Sequence, residues 1–202
     1  KYPIVQEKHL KSKCPISIYA FFKSLSKRLE GNDVVVLANG AACVAGLQAV
    51  DIKEGQRVFT NAGASSMGYG IAAAVGAACA KKNNEQVFCV EGDGSIQMNL
   101  QELQTIAHNN LNIKIFWINN DGYHSIKQTQ AAMFKGEERG YCGAHNKSGI
   151  SFPSAEKIAK AYDFNFYRII NLNNLESIVE GVYNCSGPTI CEVVTDPDEK
   201  FE

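Results

Sequence analysis

The 202-residue sequence lacks both the charge imbalance and the long apolar runs that mark two large classes of protein. Its net charge is −1 at neutral pH, so the charge gives no sign of binding to nucleic acid or to an anionic membrane. The longest apolar stretch, residues 71–80, is too short to cross a bilayer. No signal peptide is visible at the start. We therefore expect no nucleic-acid partner and no membrane partner.

Paired cysteine motifs are also missing. Seven cysteines are present, an odd number, and no C-x-x-C occurs. Several of them lie in apolar runs such as 87–90, which is typical of buried, reduced thiols in a cytosolic protein. The sequence therefore predicts a cytoplasmic protein whose cysteines are buried and reduced. The alternative roles for these cysteines are a catalytic cysteine or a zinc site.

Two common nucleotide-binding motifs are absent as well. A G-x-G-x-x-G fingerprint starting at Gly92 needs a glycine at position 97, where the chain has Gln97. The turn at Gly40 fails in the same way, because Ala42 follows it. No Gly-Lys-Ser/Thr occurs, so there is no Walker A loop. An NAD-dependent oxidoreductase and a P-loop protein are therefore weak hypotheses.

Apolar runs typical of buried parallel strands alternate with helical patterns along the chain. Strands are predicted at 34–38, 57–60, 86–91, 113–119, 166–170 and 188–194. Helices are predicted at 16–29, 41–50, 71 to about 82, 99–109, 154–162 and 173–183. We expect Ser65 and Ser66 to cap the third helix, and Asn99 and Glu102 to form a capping box for the fourth. A loop is expected to follow the strand at 113–119, and it contains Gly136, Gly140, Gly143 and Gly149. This alternation predicts a doubly wound α/β fold, with a mainly parallel sheet of about six strands and helices on both faces.

The beginning of the chain differs from the rest. Residues 1–15 are polar, contain two prolines and do not start with methionine. We expect them to be a linker from a missing preceding domain, and residues 16–202 to form one domain.

Polar loops follow the predicted strands at 39–40, 61–66, 92–95 and 119–123. In open α/β sheets, ligands bind beyond the carboxyl ends of the strands, so these loops are expected to line one site. Asp93 lies between Gly92 and Gly94, and 24 residues, 95–118, separate this turn from Asn119-Asn120. Asp93, Asn120 and the carbonyl of Gly122 are hard oxygen ligands that suit Mg²⁺ or Ca²⁺ and not zinc. Either segment alone is explained by an ordinary turn, but together they indicate a cation bound to a diphosphate.

G-D-G followed by 24 residues and N-N resembles the thiamine diphosphate (ThDP) signature. From about residue 16 to the end, the sequence is similar to the diphosphate-binding, C-terminal domain of the acetolactate synthase and pyruvate decarboxylase superfamily. Segments 64–77, 127–130 and 192–197 favour the acetolactate synthase-like branch.

The resemblance implies roles for individual residues. Asp93 and Asn120 would be the side-chain Mg²⁺ ligands and Gly122 the main-chain ligand. The remaining cofactor contacts would be Asn39, Gly40, Ala41, Ser65, Met67, Gly92, Gly94, Ser95 and Tyr123. Met67 would lie under the thiazolium and pyrimidine rings, unless it is a plain core methionine. His124 is a candidate substrate-facing residue or a solvent-exposed loop histidine, while His9, His108 and His145 show no metal spacing and are expected at the surface.

The resemblance also implies an activity. ThDP would attack the carbonyl of a 2-oxo acid such as pyruvate, carbon dioxide would leave, and the product would be ligated to a second carbonyl or protonated. The activating glutamate would come from a missing pyrimidine-binding domain of a homodimer or homotetramer, so this chain alone would be inactive, and whether an FAD occupies another missing domain is open.

The chain departs from the family at three positions. Thr129 replaces a tryptophan, Ser125 a methionine, and Ile126 the glutamate of the decarboxylases. A synthase-like enzyme with a changed acceptor, such as a sugar, is therefore one hypothesis. A 2-oxo acid decarboxylase and a non-catalytic diphosphate-binding module are the alternatives.

Overall fold

A computed structural model describes residues 3–11, 14–81, 86–134 and 142–202. Six strands form one sheet in which every pairing is parallel. The strands are β1 (Val34–Leu37), β2 (Arg57–Thr60), β3 (Val87–Gly92), β4 (Ile113–Asn119), β5 (Asn165–Ile169) and β6 (Thr189–Val194). The α-helices are α1 (Ile18–Arg28), α2 (Gly40–Ala49), α3 (Tyr69–Ala80), α4 (Glu102–His108), α5 (His124–Met133), α6 (Ala155–Ala161) and α7 (Leu175–Asn184). The predicted doubly wound α/β fold is confirmed.

The strand order is β2-β1-β3-β4-β6-β5. From β1 the chain moves outward to β2, and it then crosses back to place β3 on the other side of β1. The chain therefore leaves the carboxyl ends of the neighbouring strands β1 and β3 in opposite directions, which makes a topological switch point. Open α/β sheets bind ligands at such a point. The loops after β1 and β3 are the ones that carry Asn39-Gly40 and Gly92–Ser95.

Side chains alternate between the two faces of the sheet and form two apolar cores. Val35 and Leu37 of β1 pack with α1, α2 and α7, whereas Val34 and Val36 pack with α3, α4 and α6. Because each central strand is covered on both faces, it reads as an unbroken apolar run instead of an alternating one. This explains why the strand positions were predictable from sequence.

The helix termini differ from two of the predictions. Ser65 and Ser66 do not cap α3, whose N-cap is Gly68 with a left-handed φ of 79°. Asn99 does not open α4 either: it ends a 3₁₀ helix, Ile96–Asn99, and α4 begins at Glu102. The Asn99 side chain instead donates to the carbonyl of Gly68 at 3.0 Å, because the start of α3 lies within its reach.

The predicted loop after β4 contains a helix. α5 begins at His124, and a short 3₁₀ helix follows at Asn146–Ser148. Gly143 and Gly149 have left-handed φ angles of 62° and 97°, as expected for turns. Gly136 and Gly140 lie outside the described residues.

The segment before α1 lies against the domain. Ile4 and Val5 pack on the core. His9 is only 4% exposed, so its predicted surface position is wrong. Its ring stacks on Tyr19 at a centroid distance of 4.7 Å, and Nε2 lies 3.1 Å from Glu202 Oε1. Among the described helices, none has the length and hydropathy that a membrane span requires.

Candidate functional site

The loops after β1, β3 and β4 enclose a small cavity of about 70 Å³ at the carboxyl edge of the sheet. Its lining includes ten of the predicted site residues: Asn39, Gly40, Ala41, Met67, Gly92, Asp93, Ser95, Asn120, Gly122 and Tyr123. The structure therefore brings together most of the site residues that were predicted from the sequence. A larger groove of about 540 Å³ lies between α3 and β2, but it contains none of them.

Asp93 is at the centre of the site and is almost fully buried. Its Oδ1 accepts a hydrogen bond from the backbone N–H of Gly94 at 2.8 Å. Burial raises the pKa of this carboxyl group to about 7, although the backbone N–H groups of Gly94, Gly122 and Asn120 oppose the shift. Its own amide donates to the carbonyl of Ile118 at 3.0 Å. The turn after β3 and the loop after β4 are thus joined at Asp93.

The loop after β4 has a strained, supported backbone. Asp121 has a left-handed φ of 56°, and its N–H donates to Asn119 Oδ1 at 3.2 Å. A Cβ at Gly122 would overlap the carbonyl oxygen of Ala144, so a glycine is needed for this close approach. The next amide, that of Tyr123, donates to the same Ala144 oxygen at 2.8 Å. The segment around Ala144 therefore braces the loop that presents Asn120 and Gly122.

The donor set fits a hard cation. Within the described part of the chain, Asp93 Oδ2 and Asn120 Oδ1 are buried and accept no hydrogen bond of normal distance and angle, although the Gly122 and Asn120 amides lie near the Asp93 carboxyl. Such burial is costly unless something else binds these oxygens. One carboxylate and one amide oxygen, with a neighbouring carbonyl at Gly122, are ligands that Mg²⁺ accepts. The described cavity lining contains no Lys or Arg. A diphosphate bound there would depend on a cation and on backbone amides for neutralisation.

Helix α2 supplies such amides. It begins directly after Asn39, and Gly40 adopts a left-handed φ of 55°. The first-turn N–H groups of a helix have no intrahelical acceptor and favour an anion. Asn39 does not cap the helix with its side chain, which donates instead to the carbonyl of Ser65 at 3.4 Å. Ser65 itself is exposed and lies outside the described cavity lining.

Met67 projects from the turn before α3, and the turn after β3 holds that turn in place. Ser95 Oγ accepts from the N–H of Gly68 at 2.9 Å, and Asn99 donates to the Gly68 carbonyl. Ser95 therefore has a structural partner in addition to its predicted diphosphate role. The Met67 turn and the Asp93 turn form one hydrogen-bonded unit.

Gly94 is covered by an aromatic ring. A Cβ at this position would overlap Tyr123 Cε1 and lie 2.9 Å from Cδ1. Tyr123 also makes an edge contact with Phe152 at a centroid distance of 5.5 Å. Gly92 has open space above it and lines the cavity, whereas Gly94 does not line it. Gly92 therefore faces the cavity, and Gly94 makes room for Tyr123.

Glu91 is a buried acid that is not among the residues predicted from the sequence. It is fully buried at the end of β3, and burial raises its pKa to about 7. Its carboxylate lies against the start of α3, where a Cβ on Gly70 would overlap Oε2. An acid inside an otherwise apolar strand, 87–92, was the available sequence signal.

His124 is buried as the first residue of α5, not exposed in a loop. Its Nε2 lies 2.6 Å from Gln128 Nε2, and its ring is 5.1 Å from that of Phe201. Burial lowers its pKa. His124 is not among the described residues that line the cavity, whereas its neighbours Ser125 and Ile126 are. Its predicted contact with substrate stays a prediction.

Comparison with known families agrees with this geometry. Residues 38–193 match the model of the family described as "Thiamine pyrophosphate enzyme, C-terminal TPP binding domain". The chain belongs to this family. The predicted resemblance to the C-terminal domain of a ThDP enzyme is thereby confirmed, and the matched residues contain the whole candidate site.

Curated relatives point to the same branch of thiamine pyrophosphate enzymes. The chain is 40% identical over 137 residues to the acetolactate synthase large subunit of Porphyra purpurea, and these aligned residues make up 67% of this chain and 22% of that protein. It is 28% identical over 186 residues to the acetolactate synthase isozyme 1 large subunit of Escherichia coli (strain K12), and these aligned residues make up 92% of this chain and 32% of that protein. The chain therefore spans less than a third of the length of these relatives.

Proposed function

We propose that the cavity holds Mg²⁺ and the diphosphate of ThDP. The observation that carries this proposal is the pair of buried, unpartnered oxygens, Asp93 Oδ2 and Asn120 Oδ1, in a described lining without Lys or Arg. Asp93, Asn120 and the Gly122 carbonyl would hold the cation. The first-turn amides of α2 and the Ser95 hydroxyl would hold phosphate oxygens.

We further propose that this chain is the C-terminal part of an acetolactate synthase-like enzyme. Such an enzyme decarboxylates a 2-oxo acid, pyruvate in the simplest case, and ligates the remaining fragment to a second carbonyl. Bound ThDP supplies the nucleophilic carbon and the electron sink for this chemistry. The residues of this chain bind and orient the cofactor: Met67 would support its rings, and Ile126 and Ser125 would face the reacting end.

The chain contains half of this site. The acid that activates the aminopyrimidine would come from a further domain in a homodimer or homotetramer, and residues 1–15 would lead from a preceding domain. FAD, if bound, would lie outside this chain. The 202-residue chain alone should therefore show no turnover of pyruvate, and measurable turnover by it would contradict this division of labour.

The test is a product analysis of the full-length protein with ThDP, Mg²⁺ and pyruvate, in which carbon dioxide, acetaldehyde and acetolactate are quantified. Acetolactate would support the synthase. Carbon dioxide and acetaldehyde without acetolactate would favour a decarboxylase, or a carboligase that uses another acceptor such as a sugar. If ThDP binds and pyruvate is not consumed, the donor is a different 2-oxo acid. If ThDP does not bind in the presence of Mg²⁺, the proposal fails.

A further inference from the structure

A line of polar side chains runs from the loop after β4 to the far edge of the sheet. The Asn119 side-chain amide donates to Glu192 Oε1 at 2.8 Å. Glu192 Oε2 lies 2.5 Å from Arg168 Nε, which donates to it. Arg168 Nη2 continues the line to Glu156 on α6, at 3.2 Å. None of these contacts has a role in the function proposed above.

Sheet register fixes this line. Arg168 on β5 is paired with Glu192 on β6, and Glu192 is paired with Trp117 on β4. Asn119 is two residues beyond Trp117 and therefore shares its face of the sheet. The Glu192 side chain is 8% exposed, and that of Arg168 is 42% exposed. Glu192 is thus a buried charge with one partner on each neighbouring strand.

Asn119 determines the shape of the loop that follows it. Its Oδ1 accepts from the N–H of Asp121, which supports a left-handed residue that carries an energetic cost without such support. Its backbone carbonyl accepts from the N–H of Thr195 at 2.9 Å. The two ends of the Asn119 amide are therefore both engaged: the oxygen faces the loop and the nitrogen faces Glu192.

The charge of Glu192 decides this orientation. A flipped Asn119 amide would turn its oxygen toward the carboxylate and its nitrogen toward the Asp121 N–H, so both contacts would become repulsive. A carboxylate is also suited to its place between two donors, because each of its oxygens accepts from one of them. A glutamine in the same place accepts with one oxygen only, and its NH₂ group would face either Asn119 or Arg168.

We propose that Glu192, held by Arg168, is a positioning residue for the cation-binding loop. Glu192 orients the side-chain amide of Asn119. That amide supports the left-handed conformation of Asp121, and this conformation sets the positions of Asn120 and the Gly122 carbonyl. This inference rests on the proposed function, since it assumes that the loop binds a cation.

The test measures cation affinity in the full-length protein. Mn²⁺ serves as the probe at saturating ThDP, and free Mn²⁺ is quantified by electron paramagnetic resonance. Glu192→Gln should weaken Mn²⁺ binding by about 10- to 100-fold, the usual effect of removing an outer partner that supports a metal ligand. Glu156→Gln is the matched control: it neutralises the exposed end of the same line and should leave the affinity unchanged. Thermal unfolding of both variants shows whether they are folded.

A rescue variant separates positioning from general damage. It combines Asn119→Asp with Glu192→Gln, so that the new carboxylate on β4 accepts from the new amide on β6. The oxygen of that amide accepts from Arg168, and the new carboxylate still accepts from the Asp121 N–H. This double variant should bind Mn²⁺ more tightly than Glu192→Gln alone.

Two results would overturn the inference: an unchanged affinity in Glu192→Gln, or a double variant that binds Mn²⁺ no better than Glu192→Gln. If the unaltered protein binds no Mn²⁺ with ThDP, it is the proposed function that fails.

Discussion

The start of helix α3 offers a stability test with an internal control. α3 contains Gly70 in its first turn and Gly76 in its middle, and both can be changed to alanine. A Cβ at Gly70 would overlap Glu91 Oε2, lie 2.8 Å from Ala38 Cβ and lie 3.2 Å from Cys89 Sγ. A Cβ at Gly76 would meet nothing within 4 Å.

The magnitude follows from comparing the two variants. Each gains the helix preference of alanine over glycine, about 0.5–1 kcal/mol, so this gain cancels in the difference. What remains is the cost of forcing a methyl group into a packed site, about 1–3 kcal/mol. At roughly 2–4 °C per kcal/mol for a domain of this size, Gly70→Ala should melt about 2–12 °C below Gly76→Ala. Gly76→Ala itself should be slightly more stable than the unaltered chain.

Thermal and urea unfolding, followed by circular dichroism, give both numbers. ThDP affinity in the full-length protein provides a second readout, because a displaced α3 start moves the Met67 turn that Ser95 and Asn99 hold. Equal stability of the two variants would refute the packing argument. A destabilised Gly76→Ala would show that the exposed face of α3 is covered by something that the described residues do not include.

Two further predictions concern opposite ends of the sheet. Asp93→Asn should reduce Mg²⁺ affinity, measured by titration calorimetry with ThDP, by more than the roughly 10- to 100-fold expected for an outer partner of a metal ligand. Asp121→Asn is the control, because it removes a nearby charge that does not line the cavity. A comparable loss of Mg²⁺ affinity in Asp121→Asn would argue against Asp93 as a ligand. Lys114→Met should destabilise the fold by about 1–3 kcal/mol. Lys114 Nζ donates to Cys185 O at 2.5 Å, and the substitution leaves this half-buried carbonyl without that donor. Gly187 O, which Lys114 also contacts at 2.8 Å, keeps its hydrogen bond from Thr189 Oγ1 at 3.1 Å. Burial lowers the pKa of Lys114 from 10.5 to about 8. Between about pH 8 and pH 10.5, the folded chain therefore binds fewer protons at Lys114 than the unfolded chain does. Because of this difference, Lys114 makes the free energy of unfolding rise with pH in that range. Lys114→Met should lose that rise while Mg²⁺ affinity stays unchanged; an identical pH profile in both proteins would contradict the assignment.

The sequence by itself determined the strands, the fold class and most of the site. Buried parallel strands leave apolar runs, which is why β4 was predicted at its observed bounds. β2 was also predicted at its observed bounds, although it is a partly exposed edge strand. Asp93 and Asn120 were recognisable because strands that run parallel bring their following loops to one edge. The spacing between the two motifs contains one helix and one strand, so that edge had to be shared.

Only the tertiary structure decided how the loops are held. The N-cap residue of α3, Gly68, is held by Ser95 and Asn99, which lie 27 and 31 residues further along the chain, and no local pattern reports such partners. α5 was missed because its buried first residue, His124, takes its contacts from Gln128 and from Phe201 in the C-terminal segment, and not from an apolar stripe. His9 was misplaced at the surface because its partners, Tyr19 and Glu202, lie at the two ends of the domain. A sequence pattern records which residues are buried in regular elements, whereas polar contacts between distant segments depend on sheet order and register, which form only when the chain folds.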